Sequence, residues 1–315
     1  MRDLRTRLCL LTLAAVLAMA ATAAAAPPSP PAVEVRAGSD PHQSFFEASY
    51  GHGDTEYWLF EPRSPEPESA PLVLFLHGWS AMEPTGYADW LEHLARRGNV
   101  VIYPRYQASL LSPPAAFHSN VVAAFHAALE ELAKPGHVHP DLARFAIVGH
   151  SAGGAESATF AALAHAERLP VPRAVMAVEP GRGGARNRGR DVIPLADPAQ
   201  IPADVELVLV VGDRDQRAGS ATARDIFRRA VAVRRRTFVT MQSDDHGTPP
   251  LLANHFAPAA GPHARVDALD VLGFWRLFDQ LTDAAFAGRD FVVDPAMGHW
   301  SDGTPIKPLV VETAP

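Results

Sequence analysis

The sequence predicts a single α/β domain, a mostly parallel β-sheet flanked by helices, with no large lid domain. Three observations carry that prediction. Apolar, strand-like runs alternate with segments of helical spacing from about residue 55 to residue 286. Several of these runs, such as "PLVLFLHGW" (Pro71–Trp79), are almost continuously apolar, as strands buried on both faces must be. The chain has 315 residues, of which 47% are hydrophobic and 20% charged, an ordinary globular balance that one core can use. Repeated β-α-β units require right-handed crossovers. Functional groups should therefore gather at the carboxyl ends of the strands.

The elements follow in order. "TEYWLFEP" (Thr55–Pro62) reads as an early strand and Pro71–Trp79 as the next. "YADWLEHLARRG" has helical spacing at Trp90, Leu91 and Leu94, and Gly98 suits its end. "VVIYPRY" (Val100–Tyr106) is a strand. "AAFHSNVVAAFHAALEELAKPG" is a helix stopped by Pro135 and Gly136. "RFAIVGHS" is a strand, "AGGAESATFAALAHAERL" a helix and "RAVMAVEP" a strand. "VELVLVVGD" (Val205–Asp213), "ATARDIFRRAVAVRR" and "RTFVTMQ" (Arg236–Gln242) repeat the pattern as strand, helix and strand. "VDALDVLGFWRLFDQLTDAAF" closes as one long helix with Val271, Trp275, Phe278 and Leu281 on one face.

The first residues stand apart. Arg2, Arg5 and Arg7 precede an apolar stretch from Leu8 to about Ala20, and small residues continue to Ala26. That order is the pattern of a secretory signal peptide, so the protein is expected to be secreted or periplasmic. The divisions expected are a signal peptide over 1–26, a proline-rich lead over 27–54, and a catalytic domain with a C-terminal tail over 55–315. The one cysteine, Cys9, falls inside the signal. The mature chain thus carries no thiol nucleophile and no Cys-type zinc site. The formal net charge is −7, and residues 1–26 hold three Arg and one Asp, so the mature chain stands near −9. Such a balance argues against nucleic acid as a partner and against stable membrane association after signal cleavage.

The chemistry centres on "AIVGHSAGGAESA" (Ala146–Ala158). Gly149-His150-Ser151-Ala152-Gly153 fits G-x-S-x-G between an apolar strand and an alanine-rich helix, the context that motif requires. Side chains at Gly149 and Gly153 would collide with the neighbouring strand and helix. Small residues let a strained turn close and push the Ser151 hydroxyl into open space, where the first amides of the helix favour developing negative charge.

This region resembles the nucleophile elbow of the α/β-hydrolase superfamily. The resemblance covers roughly residues 55–285. Within the superfamily it is most similar to the serine esterase branch that includes dienelactone-hydrolase-like, platelet-activating-factor-acetylhydrolase-like and cutinase-like polyester hydrolases. The resemblance implies a Ser, Asp or Glu, His order along the chain. "LVLVVGDRDQ" supplies the acid: Asp215 lies three residues after Gly212, with Asp213 as its competitor. "RTFVTMQSDDHGTPP" supplies His246 in a polar loop after the last strand, with His255 in "LLANHF" as runner-up. The expected triad is Ser151, Asp215 and His246. The expected oxyanion donors are the backbone amides of Ala152 and of Trp79 in "LFLHGWS".

On the substrate side, the Trp79 ring and Tyr106 are expected to flank the bound group. Residues 179–205 form a connection too short for a large helical cap. It carries Arg182, Arg186, Arg188 and Arg190, either a basic rim for carboxylate-bearing substrates or a solvated loop. No metal-ligand spacing, H-E-x-x-H, phosphate loop or dinucleotide glycine pattern stands out, so no cofactor or metal is expected. The sequence therefore reads as an exported carboxylic ester hydrolase working through an acyl-serine on a small-molecule or polymeric ester. Short-chain, small or aromatic esters are favoured. The alternatives are a polyester hydrolase or lipase, a serine peptidase or amidase, and a non-catalytic hydrolase-like binding module.

Overall fold

A computed structural model of the protein describes residues 26–33, 40–183, 192–259 and 265–315. The apolar stretch of the expected signal peptide, and Arg186, Arg188 and Arg190, lie outside the described residues. No described helix is long and apolar enough to cross a membrane.

Nine strands form one sheet in the order β1-β2-β4-β3-β5-β6-β7-β8-β9. They are β1 (Ser44–Tyr50), β2 (Tyr57–Arg63), β3 (Ser69–Leu76), β4 (Val100–Pro104), β5 (His139–His150), β6 (Ala174–Val178), β7 (Glu206–Gly212), β8 (Arg236–Met241) and β9 (Val310–Ala314). The six strands from β4 to β8 run parallel. Antiparallel pairings of β1 with β2, β2 with β4 and β8 with β9 finish the two edges.

The continuous apolar runs have the predicted cause. In β3, Leu72, Leu74 and Leu76 pack into one core, with Phe117, Phe125 and Phe160. Val73 and Phe75 pack into the core on the opposite face, with Trp90, Trp275 and Phe278. The first core is covered by α2 (Phe117–Leu132), α3 (Ala152–Leu163) and α4 (Ala221–Arg229), and the second by α1 (Ala88–Arg96) and α5 (Arg276–Phe286). Eleven of the twelve residues of α3 are buried, which is why its sequence is small and apolar without an amphipathic stripe.

Three elements depart from the sequence expectation. The stretch 27–54, read as a lead, contains β1, whose alternating polar residues suit an exposed edge strand. The last long helix is divided: Leu269–Trp275 is π-helical and only Arg276–Phe286 is α-helical. The widened turn includes Gly273, where a Cβ would press on the Met241 side chain. The tail forms β9, pairing Val310–Thr240 through Ala314–Arg236.

Candidate active site

Ser151, the expected nucleophile, sits where β5 turns into α3. Ser151 adopts φ 56° and ψ −114°, a conformation unfavourable for any residue with a side chain. Three backbone hydrogen bonds hold it there. Its N–H donates to Val178 O (2.9 Å), and its carbonyl accepts from Gly181 (2.9 Å) and Ala155 (3.2 Å). A Cβ at Gly149 would overlap the Gly153 carbonyl and Ser157 Oγ, and one at Gly153 would overlap the carbonyls of Leu76 and His77. The expected reason for the glycines therefore acquires named partners. Gly153 lets α3 lie against the end of β3, close enough for its N–H to reach His77 O at 2.9 Å.

His255 Nε2 lies 2.9 Å from Ser151 Oγ, and His255 Nδ1 lies 2.9 Å from Asp215 Oδ2. A carboxylate accepts, so Nδ1 carries the proton and the Nε2 lone pair faces the serine hydroxyl. Asp215 Oδ1 accepts from the amides of Arg217 (2.8 Å) and Ala218 (3.0 Å). Burial pushes the Asp215 carboxyl up, but hydrogen bonds from His255 and from the Ala218 and Arg217 amides outweigh it, leaving it below its ordinary range. Asp215 stays ionised while facing His255.

His246 does not reach this site. It is 38% exposed in its side chain and binds Asp302 Oδ2 at 2.9 Å, with its ring against Trp300. Its expected place is taken by His255. The physical reason lies in the path after β8. Residues 243–254 make an excursion that returns at an Asp244–Leu251 bridge and brings the Ala253 carbonyl against Gly212. Arg214 N–H then donates to Ala253 O (3.0 Å), fixing the chain two residues before His255. Asp213, the competing acid, anchors this return. Its Oδ1 accepts from Ser243 N (2.9 Å) and Ser243 Oγ (2.6 Å), and Ser243 Oγ accepts from Ala253 N (2.9 Å). Signals for the longer path were present: Gly247, Pro249 and Pro250 mark a turn, and buried Leu251 and Ala253 mark a returning segment.

The amides expected to serve as oxyanion donors are left without partners where their neighbours are not. The neighbouring amides are engaged: Gly78 with Tyr87 Oη (3.0 Å), Ser80 with Gln107 Oε1 (2.7 Å), and Gly153 with His77 O. The amides of Trp79 and Ala152 have no acceptor among the described residues. Both residues flank Ser151, Trp79 from the end of β3 and Ala152 from the start of α3. The Trp79 ring packs on Phe117 (5.3 Å between centroids) and lines a cleft of about 960 Å³ that includes Ser151 and His255. Tyr106 is a different case. It is fully buried beneath this loop, stacked on His77 at 4.1 Å with its hydroxyl donating to His77 O, and it does not line the cleft. It supports the loop that carries Trp79, whereas the sequence places it beside the bound group.

A second buried polar chain lies behind the Ser151–His255–Asp215 line. The Gly78 amide donates to Tyr87 Oη, Tyr87 Oη bonds His150 Nδ1 (2.7 Å), and His150 Nε2 faces Glu179 Oε2 (3.3 Å). Glu179 Oε2 is 3.5 Å from His255 Nδ1. Glu179 is fully buried with φ 46°. Burial, then the Asp215 charge, pushes its carboxyl up to about 8, and burial brings His150 down to about 4. Both shifts favour the neutral form. Among the described residues, His150, Glu179 and His255 are the donors close enough to share a metal ion. A cation held there would compete with the His255–Asp215 bond.

A family model described as chlorophyllase matches residues 60–212. In structure, the chain is similar to a carboxyl esterase, carboxyl esterase 2 of the mycorrhizal fungus Tuber melanosporum. The TM-score is 0.51 at 18% identity, covering 66% of this chain and 78% of that one. The chain has the α/β-hydrolase fold. No curated protein sequence matches the chain. The α/β-hydrolase sheet places the serine turn after β5, the acid after β7 and the histidine after β8, all at carboxyl ends of parallel strands. In the β6–β7 connection, which could hold a cap, a bridge joins Gly183 to Val192.

Proposed function

We propose that this protein is an exported serine hydrolase of the α/β-hydrolase superfamily that cleaves carboxylic esters through an acyl-serine intermediate. The observation that carries the reading is the hydrogen-bonded line Ser151–His255–Asp215 beside two uncommitted amides in an open cleft. His255 Nε2 takes the hydroxyl proton as Ser151 Oγ bonds to the acyl carbon. The oxyanion accepts hydrogen bonds from Trp79 and Ala152, and Asp215 stabilises the imidazolium. Collapse breaks the bond to the alcohol oxygen, which takes the proton from His255. Water then enters by the same route, releasing the acid and restoring the serine.

The names of the matched family and of the structural neighbour support ester cleavage. The shortness of the β6–β7 connection supports small or aromatic esters over long acyl chains, with the Trp79 ring along one wall of the cleft. Export rests on the charged, apolar and small-residue order of residues 1–26. The test is hydrolysis of p-nitrophenyl esters from acetate to palmitate by wild type and Ser151→Ala. Short-chain activity should fall by about 10⁴-fold or more in the variant. Activity unchanged in Ser151→Ala would refute the reading, and a maximum at long chains would refute its substrate range.

A further inference from the structure

Resting on that reading, we propose that Arg217 selects esters whose leaving group carries a carboxylate, with Phe256 holding its guanidinium in place. No Asp or Glu side chain lines the described part of the cleft, and Arg217 is the one Lys or Arg that does. Among the described residues no carboxylate pairs with it, in a protein with a formal net charge of −7. Among the described residues its charge is thus uncompensated in the cleft that Ser151 lines.

Its position is built. The Arg217 amide is fixed on Asp215 Oδ1 (2.8 Å), and its Cζ stands 4.7 Å from the centre of the Phe256 ring. Stacking on a ring face leaves the in-plane N–H edges of a guanidinium free for a two-pronged bond to a carboxylate. Phe256 is 57% exposed and follows His255 directly. The geometry of attack then selects the side. The oxyanion lies toward the amides of Trp79 and Ala152, and the leaving oxygen must lie within reach of His255 Nε2. Phe256 and Arg217 therefore border the alcohol half of the ester, and the aromatic face beside the charge suits an aryl carboxylate.

The test compares two acetyl esters, 4-acetoxybenzoate and its neutral methyl ester, with wild type, Arg217→Gln and Arg217→Lys. The readout is the ratio of kcat/KM for the anionic to the neutral substrate, so a general loss of activity cancels. The ratio should fall about fivefold or more in Arg217→Gln, mainly through KM, and recover in part in Arg217→Lys. Added salt should lower the wild-type ratio and leave that of Arg217→Gln unchanged. A ratio in Arg217→Gln within twofold of wild type would overturn the proposal and leave the esterase reading intact. Absence of Ser151-dependent cleavage of the neutral ester would instead overturn the esterase reading, and this proposal with it.

Discussion

Replacing Gly153 by alanine should damage stability and catalysis together, because one close approach serves both. Gly153 does not have a positive φ, so the cost is steric. The added Cβ would lie 2.6 Å from His77 O and closer still to the Leu76 carbonyl, both backbone groups at the end of β3. Neither can rotate away. Relief requires α3 and β3 to part by roughly 1 Å, which strains packing by about 1–3 kcal/mol. It also weakens the Gly153–His77 hydrogen bond, adding about 1 kcal/mol. A loss of about 2–4 kcal/mol should lower the melting temperature by roughly 5–10 °C. The same movement separates the amides of Trp79 and Ala152, and misplacing one oxyanion donor costs about 10²–10³ in kcat. Thermal unfolding and p-nitrophenyl butyrate kinetics measure the two effects. Gly86→Ala is the stability control, since a Cβ there meets nothing within 4 Å. A Gly153→Ala protein with wild-type melting temperature and kcat would refute the crowding argument.

Other predictions follow from the buried groups. Glu179 binds its proton more tightly folded than unfolded, so its burial costs stability increasingly as pH rises from about 4.5 to about 8. The melting temperature of Glu179→Gln relative to wild type should therefore climb over that interval and level off above it; a flat difference would show that Glu179 is not held neutral. His118 bonds Glu156 Oε1 and Glu167 Oε2, joining α2 to the α3 region. Burial lowers its pKa, but the bonds and charges of Glu156 and Glu167 prevail and raise it to about 8. Its contribution, about 1–2 kcal/mol, is present below about pH 6.5 and lost as pH rises through about 8. His118→Gln should thus destabilise at pH 6 and be nearly neutral at pH 9 by urea unfolding. Asp213→Asn weakens the anchor through Ser243 to Ala253, so kcat should fall about tenfold or more with KM little changed. An unchanged kcat would show that the His255 loop is held otherwise.

The elbow was legible because its constraints are local. Gly149, Ser151 and Gly153 lie within five residues, and the apolar run before them fixes where the strand ends. The positions of Trp79 and Ala152 beside Ser151 were legible for the same reason, being tied to strand ends. The histidine was not. Its distance from β8 depends on an excursion stabilised by partners far along the chain. Asp244 accepts from Trp300 Nε1 (3.1 Å) and from the Lys307 amide (3.0 Å), contacts that no short window of sequence displays. Tyr106 misled in another way. A tyrosine after a strand reads as a rim residue, but here the ring stacks on His77 under the loop. Strand β1 was missed because one face of an edge strand is polar, and "SFFEASY" lacks the continuous apolar run that marked the central strands. Glu179 carried no signal at all, since a glutamate before Pro180 at a strand end reads as a solvated turn.

The chemistry of the cleft turns on which histidine serves Ser151. The most direct measurement is kcat/KM for p-nitrophenyl butyrate with His255→Ala and His246→Ala side by side. His255→Ala should lose about 10⁴-fold or more, and His246→Ala should stay within about threefold of wild type, since it loses only an exposed contact with Asp302. A large loss in His246→Ala with His255→Ala still active would contradict the site described.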